Sequence, residues 1–138
     1  MLNVCIKEVL LKGFIMKTSS DLGILVIRVL TSVLMIFPHG WSKLINFSSK
    51  LNTFPDPLGI SSPLSLSATV FTEVFCSAAI IVGIKTRWAA LALFFTMIVA
   101  AFVVHGQDPW MRKEKALLYA VVYLGLFFSG GGRYSIKD

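Results

Sequence analysis

The sequence predicts an all-α fold, a bundle of four helices built to cross a membrane. Composition is the first reason: 56% of the 138 residues are hydrophobic and only 14% charged, with a mean hydropathy of +0.79. An ordinary soluble domain is about 45–50% apolar and about 25% charged. Pattern is the second reason, because four apolar runs approach the roughly 20 residues that a spanning helix needs and none alternates with the period of a barrel strand. Disorder, coiled coil and a disulfide scaffold are excluded together. Cys5 and Cys76 offer no CxxC pair and no zinc set, so both read as packing residues. The net charge of +6 and pI near 9.6 would suggest nucleic acid in a soluble chain, but the basic residues flank the apolar runs and read as membrane topology.

In chain order, residues 1–20 form an N-terminal extension and 21–138 a single membrane domain. The stretch 1–15 is no signal peptide, because Lys7, Glu8 and Lys12 interrupt it and no small-residue cleavage site follows. Met16 is the expected start of translation, with a short amphipathic surface helix as the alternative. The first span, 22–38, gives about 25 Å of helix and needs His39 to Trp41 to extend it. The second is 64–84, the third 88–104 and the fourth about 116–131. The link 39–63, with Pro55, Pro57, Gly59 and Pro63, has room for an interfacial element whose apolar face would come from Trp41, Leu44, Ile45, Phe47, Leu51 and Phe54. The other links are a tight turn at 85–87 and a short polar stretch at 106–113. Lys7, Lys12, Lys17, Lys85, Arg87, Arg133 and Lys137 outnumber Lys43, Lys50, Arg112, Lys113 and Lys115 on the other side, which puts both termini in the cytoplasm. Trp41, Trp88, Trp110 and Tyr134 fall at span ends, where amphipathic rings settle among headgroups.

An ionisable group in hydrocarbon costs about 2.5–3.5 kcal/mol on insertion scales, so it must face protein, water or a partner. Arg28 and Glu73 are the two such residues. Their heights differ by about 7 Å, and a buried Arg28–Glu73 ion pair is expected, serving either to fix helix register or as a proton or substrate site. Arg28, Ser32, Met35 and His39 share one helical face, as do Ser65, Thr69, Glu73 and Cys76, and these stripes should meet inside the bundle. Glu114, Leu118, Val121, Gly125 and Ser129 form the matching stripe on the fourth span, while Ala79–Gly83 and Gly125–Ser129 are small-residue pairs that permit close backbone approach. A second polar cluster, His39, Lys43, His105 and Glu114, lies at the outer ends. It is read as interfacial, because neither histidine has a second histidine or a cysteine at i+3 or i+4, and no metal is expected.

No GxGxxG, Walker lysine loop, Ser/His/Asp order or CxxC is present, so nucleotide, flavin and thiol chemistry are not written in this chain. Four short signatures in order do carry a resemblance: Arg28 with His39-Gly40-Trp41-Ser42-Lys43-Leu44; Glu73 with Val82-Gly83-Ile84-Lys85-Thr86-Arg87-Trp88-Ala89-Ala90-Leu91; Glu114-Lys115-Ala116-Leu117-Leu118-Tyr119; and Ser129-Gly130-Gly131-Gly132-Arg133-Tyr134-Ser135-Ile136. Over about residues 20–137 the chain resembles the DoxX family of small bacterial inner-membrane proteins. By residue match, Arg28, His39, Lys43, Glu73, Arg87, Glu114 and Arg133 occupy that family's characteristic polar positions, and only the Ser-Ile-Lys-Asp close departs from its usual Ser-Leu-Asp ending.

The resemblance implies four spans, cytoplasmic termini and a link to membrane redox complexes, the family being named for its association with a thiosulfate:quinone oxidoreductase. The expected function is therefore an inner-membrane subunit that docks a redox enzyme and offers a quinone pocket. Arg28 and Glu73 would meet the headgroup, and His39, His105 and Glu114 would connect it to water. A proton-linked permease acting as a homo-oligomer, or a structural scaffold with no chemistry of its own, are the alternatives. The bilayer is a partner in all three readings, and nucleic acid in none.

Overall fold

The computed structural model describes the backbone from residue 2 to 138 and the side chains from residue 18 onward. The side chains of most of the expected N-terminal extension, Cys5 and Met16 among them, therefore lie outside the described ones, and nothing in the structure bears on where translation starts. Four helical rods dominate. The first, α1, runs as Leu2–Met35, a π-helical turn Ile36–Gly40 and Trp41–Ile45; α2 is Ser62–Val82, α3 is Thr86–Val104 and α4 is Trp110–Ser129. No strand is present among the described residues, only an isolated bridge between Ile84 and Lys137. Three helical stretches, Thr18–Ile45, Ser62–Val82 and Thr86–Val104, are long and apolar enough to cross a membrane. The fourth rod opens on Arg112, Lys113, Glu114 and Lys115, and that charge sets it apart from the others.

The first rod does not stop at Pro38. A proline in a helix interior removes one hydrogen bond and crowds the carbonyl four residues back. Here the wider π turn absorbs the ring, with the Trp41 amide donating to the Ile36 carbonyl. Leu34, four residues before Pro38, finds another partner for its carbonyl in the Tyr119 hydroxyl, 3.4 Å away. The helix therefore carries His39 and Lys43 onward as part of α1, and a single further turn, Phe47–Lys50, shortens the expected 39–63 link to a loop.

That extension overturns the expected ion pair. Arg28 and Glu73 are both buried, but they do not meet. Helices α1 and α2 run antiparallel in a register that sets Gly40 against Glu73 and Val74, so tightly that a Cβ on Gly40 would lie 2.7 Å from the Val74 side chain. Glu73 is then level with Lys43, whereas Arg28, about 22 Å farther down α1, reaches Ile80. Placing Lys43 at the outer end of the first span, rather than level with Glu73, made Arg28 the expected partner.

Most of the expected inward stripes is buried: Arg28, Ser32 and Met35 on α1, and Ser65, Glu73 and Cys76 on α2, while His39 and Thr69 are only half-buried and Gly40, beside His39, is the buried residue at that level of α1. The stripe expected on α4 faces the wrong way. Leu118 and Val121 are 61% and 69% exposed, and Glu114, Gly125 and Ser129 are exposed with them. The buried face is Ala116, Ala120, Tyr123 and Leu126, whose alanines let α3 approach closely through Ala89, Ala90, Leu93 and Met97. A methyl group on Gly125 would touch nothing, so the Gly125–Ser129 pair makes no close approach here. Ala79–Gly83 does: Gly83 ends α2 at φ +79°, and a Cβ there would run into Arg28 and Ser135.

Past α4, residues 130–138 fold back over the end of the bundle as a strap. The Lys85 amide donates to the Lys137 carbonyl (2.8 Å) and the Lys137 amide to the Gly83 carbonyl (3.0 Å). Asp138 accepts from the Thr86 amide at 2.9 Å, capping the first turn of α3, and from the Gly131 amide at 2.6 Å. Burial raises the Asp138 carboxyl, but these bonds and the Arg87 charge more than offset it, leaving its pKa below the ordinary value. Asp21 accepts from the Arg133 amide, tying the strap to α1 as well.

Candidate functional site

Arg28 explains itself within this frame. One guanidinium nitrogen donates to the Ile80 carbonyl (3.2 Å), which also accepts from the Gly83 amide (3.1 Å) in the turn that ends α2. Another donates to the Tyr134 carbonyl at 2.6 Å, pinning the strap. A buried planar fork holding two backbone carbonyls locks α1, α2 and the C-terminal strap together. Nearby, the hydroxyls of Ser32, Ser77 and Tyr123 are buried without a well-formed hydrogen bond.

The other buried charge, Glu73, sits at the polar end of a cavity of about 380 Å³, a volume within the range of small-molecule pockets. Lys43 Nζ donates to both carboxylate oxygens, at 2.6 and 2.8 Å, and to the His39 carbonyl at 3.2 Å. Thr69, Thr72 and Thr96 line the wall beside this pair, and Phe95, Met97, Val99, Val104 and the loop residues Phe54 and Leu58 supply its apolar part. His39 lines the cavity and meets Tyr119 edge to face at 5.6 Å. His105 lies at the far wall, its Nδ1 2.7 Å from Asp108, and that bond is the largest of the effects that hold the Asp108 carboxyl below its usual range.

All three π-helical segments border this cavity: Ile36–Gly40 contributes His39, Phe71–Cys76 contributes Thr72 and Glu73, and Ala100–Val104 contributes Ala100 and Val104. A π turn inserts a residue into a helical face and re-aims its neighbours, and such turns concentrate at functional sites. Helix by helix, the chain departs from regular geometry where it faces this cavity.

The structure therefore regroups the predicted site residues. His39, Lys43, Glu73 and His105 line one cavity, Arg28 serves the opposite end of the bundle, and Glu114 is exposed on α4 away from the lining. Among the described residues no cluster of three or more His, Cys, Asp or Glu could hold a metal. Sequence reasoning missed Thr96 and the loop 54–60. Thr96 stands alone in an apolar run, and nothing in the loop's composition distinguishes a pocket cover from a surface link.

The cover is held by one side chain. Asp56 accepts from the Ile60 amide (3.0 Å), the Ser61 amide (2.8 Å) and the Ser65 hydroxyl (2.8 Å), and Ser61 sits at φ +108°, a conformation a non-glycine residue adopts only when held. The Ser65 bond, followed by the backbone amides, keeps the Asp56 carboxyl below its ordinary value. A carboxyl depressed in the folded state contributes in full above its unfolded pKa, and the contribution is lost as pH falls through the folded value. Protection of the Ile60 and Ser61 amides, taken relative to the intrinsic exchange rate at each pH, should therefore be high from pH 5 to 8 and fall away only below the ordinary carboxylate value of about 4. Asp56→Ala should show low protection at every pH, a pattern that hydrogen-exchange mass spectrometry reads.

Comparison with known proteins places the fold and the site in one family. The DoxX family profile matches residues 23–106, which hold α1 from Gly23 onward, α2, α3 and every residue that lines the cavity. The chain belongs to the DoxX family. An uncharacterised protein of Haemophilus influenzae is 29% identical over 119 residues, covering 81% of this chain and 86% of the relative. No solved structure matches the sequence. This DoxX protein is thus a membrane protein whose apolar helices border a pocket lined by the Lys43–Glu73 ion pair, its carboxylate buried and its ammonium half-buried.

Proposed function

We propose that this DoxX protein is a four-span subunit of the bacterial inner membrane whose pocket receives the headgroup of a lipid-soluble redox carrier, a quinone, on behalf of a partner oxidoreductase. The observation that carries the reading is the cavity itself: apolar walls, a polar end formed by Lys43 and Glu73, and a π turn in each of three helices around it. The fit is chemical, because a carrier of the quinone class has a flat apolar ring to pack against Phe95 and Met97, with hydroxyls in its reduced form that can donate to Glu73 and oxygens in either form that can meet the His39 ring. When bound it supplies electron-carrying capacity that no residue of this chain has. Lys43 and Glu73 orient it, and the loop carrying Phe54 and Leu58 keeps water from it.

The fourth span is α4. Its 20 residues reach about 30 Å, and Arg112, Lys113 and Lys115 extend toward the headgroups. Four spans put both termini on one side. Lys85, Arg87, Arg133 and Lys137, at the strap end, mark that side as cytoplasmic by the positive-inside rule. Native mass spectrometry of the protein drawn from its own membranes tests the reading: a retained quinone, lost in Glu73→Gln, supports it. Protein that carries only phospholipid, with no redox enzyme, contradicts it.

A further inference from the structure

The polar wall of the pocket is one-sided in its hydrogen bonding. Each hydroxyl along it gives its proton to the protein: Ser65 to Asp56 (2.8 Å), Thr69 to the Ser65 carbonyl (2.8 Å), Thr72 to the Thr69 carbonyl (3.0 Å) and Thr96 to the Ala92 carbonyl (3.0 Å) or the Thr72 hydroxyl (3.1 Å). Where the acceptor is a carbonyl or carboxylate oxygen the direction of the bond is fixed by chemistry, and with the Thr72 proton given to Thr69 its oxygen is the acceptor toward Thr96. Lys43 has three N–H donors, and all three are engaged, two by Glu73 and one by the His39 carbonyl.

What the wall has left is acceptor capacity. A carboxylate offers about four lone-pair sites, and Lys43 occupies two of those on Glu73. The oxygens of Ser65, Thr69 and Thr96 keep lone pairs as well. His105 has its Nδ1 2.7 Å from Asp108, and the role of its Nε2 follows the tautomer of the ring. Among the described side chains of the wall, only the two histidines can still take either role.

We infer that the pocket selects a head group that donates a hydrogen bond, a lipid phenol or hydroquinone, over one that only accepts. This rests on the proposed reading of the cavity as a lipid-carrier site and narrows it to the reduced form. An acceptor-only quinone brings carbonyl oxygens to a wall of oxygens, whereas a phenolic O–H meets an ionised carboxylate, the strong kind of hydrogen bond. The preference comes as much from what the wall rejects as from what it binds.

Three probes with the same decyl chain test it: a phenol, its O-methyl ether, and a benzoquinone. Binding to the full-length protein in lipid nanodiscs is measured against empty nanodiscs, which removes partition into lipid. The phenol should bind at least about tenfold more tightly than the ether or the quinone. In Glu73→Gln, the lost carboxylate and the freed Lys43 donors should bring the three within about threefold. Equal binding of phenol and ether to the unsubstituted protein, or a tighter quinone, overturns the inference and leaves the pocket reading standing. Saturable binding by none of the three overturns both. The comparison in the unsubstituted protein is decisive whether or not the variant folds.

Discussion

Arg28→Lys should destabilise the protein by about 3 kcal/mol, more than Arg28→Met does. Both substitutions release the strap, since neither side chain can hold the Ile80 and Tyr134 carbonyls with one planar fork. Lysine keeps the positive charge in a site that is 1% exposed, and so keeps its desolvation cost while forfeiting bonds. Methionine gives up the bonds but also the buried charge, and its loss is correspondingly smaller. Thermal midpoints in mild detergent rank the variants. Trypsin cleavage after Arg133 and Lys137 reports the strap, and should become rapid in both. A methionine variant that is much the weaker of the two would mean that Arg28 has an anionic partner in the membrane.

Lys43 and Glu73 should behave as a coupled pair, with Lys43→Met the costlier single change. It leaves a carboxylate whose side chain is 6% exposed without its cation, a loss of about 3–5 kcal/mol. Glu73→Gln is milder, because the Lys43 side chain is 21% exposed and its ammonium can turn toward water. In the double variant the two losses should fail to add, with a coupling of about 1–3 kcal/mol, while Arg28 paired with either should be additive. The same double variant separates stability from function. It should lose little more stability than Lys43→Met alone, yet it has no carboxylate in the pocket and should retain no lipid carrier.

The helical architecture was legible in the sequence because water is absent from the bilayer core and apolar length alone decides it. The inward faces of α1 and α2 were legible too, since Arg28, Ser32 and Glu73 are too costly to turn toward lipid. On α4 the same logic failed. Its inner face is alanine, tyrosine and leucine, no more polar than its outer face, and packing against α3 rather than polarity chose between them. The pocket was half legible. His39, Lys43, Glu73 and His105 stood out as residue types, but assigning partners needed the length of α1, and that turned on whether Pro38 ends a helix or sits in a π turn. Hydrophobic periodicity carries no signal for that choice.

The central claim is that the cavity beside Lys43 and Glu73 is where a lipid-soluble carrier resides. It is tested most directly by crosslinking a photoreactive, long-chain hydroquinone analogue to the protein in nanodiscs and mapping the modified peptides by mass spectrometry. Label should concentrate on residues 54–60 and 95–100, fall away with excess unlabelled compound, and be lost in the Lys43→Met, Glu73→Gln double variant. Label spread over the exposed apolar face of α1, at Val26, Leu30 and Leu34, and indifferent to competitor or variant, would show a compound dissolved in lipid and contradict the claim.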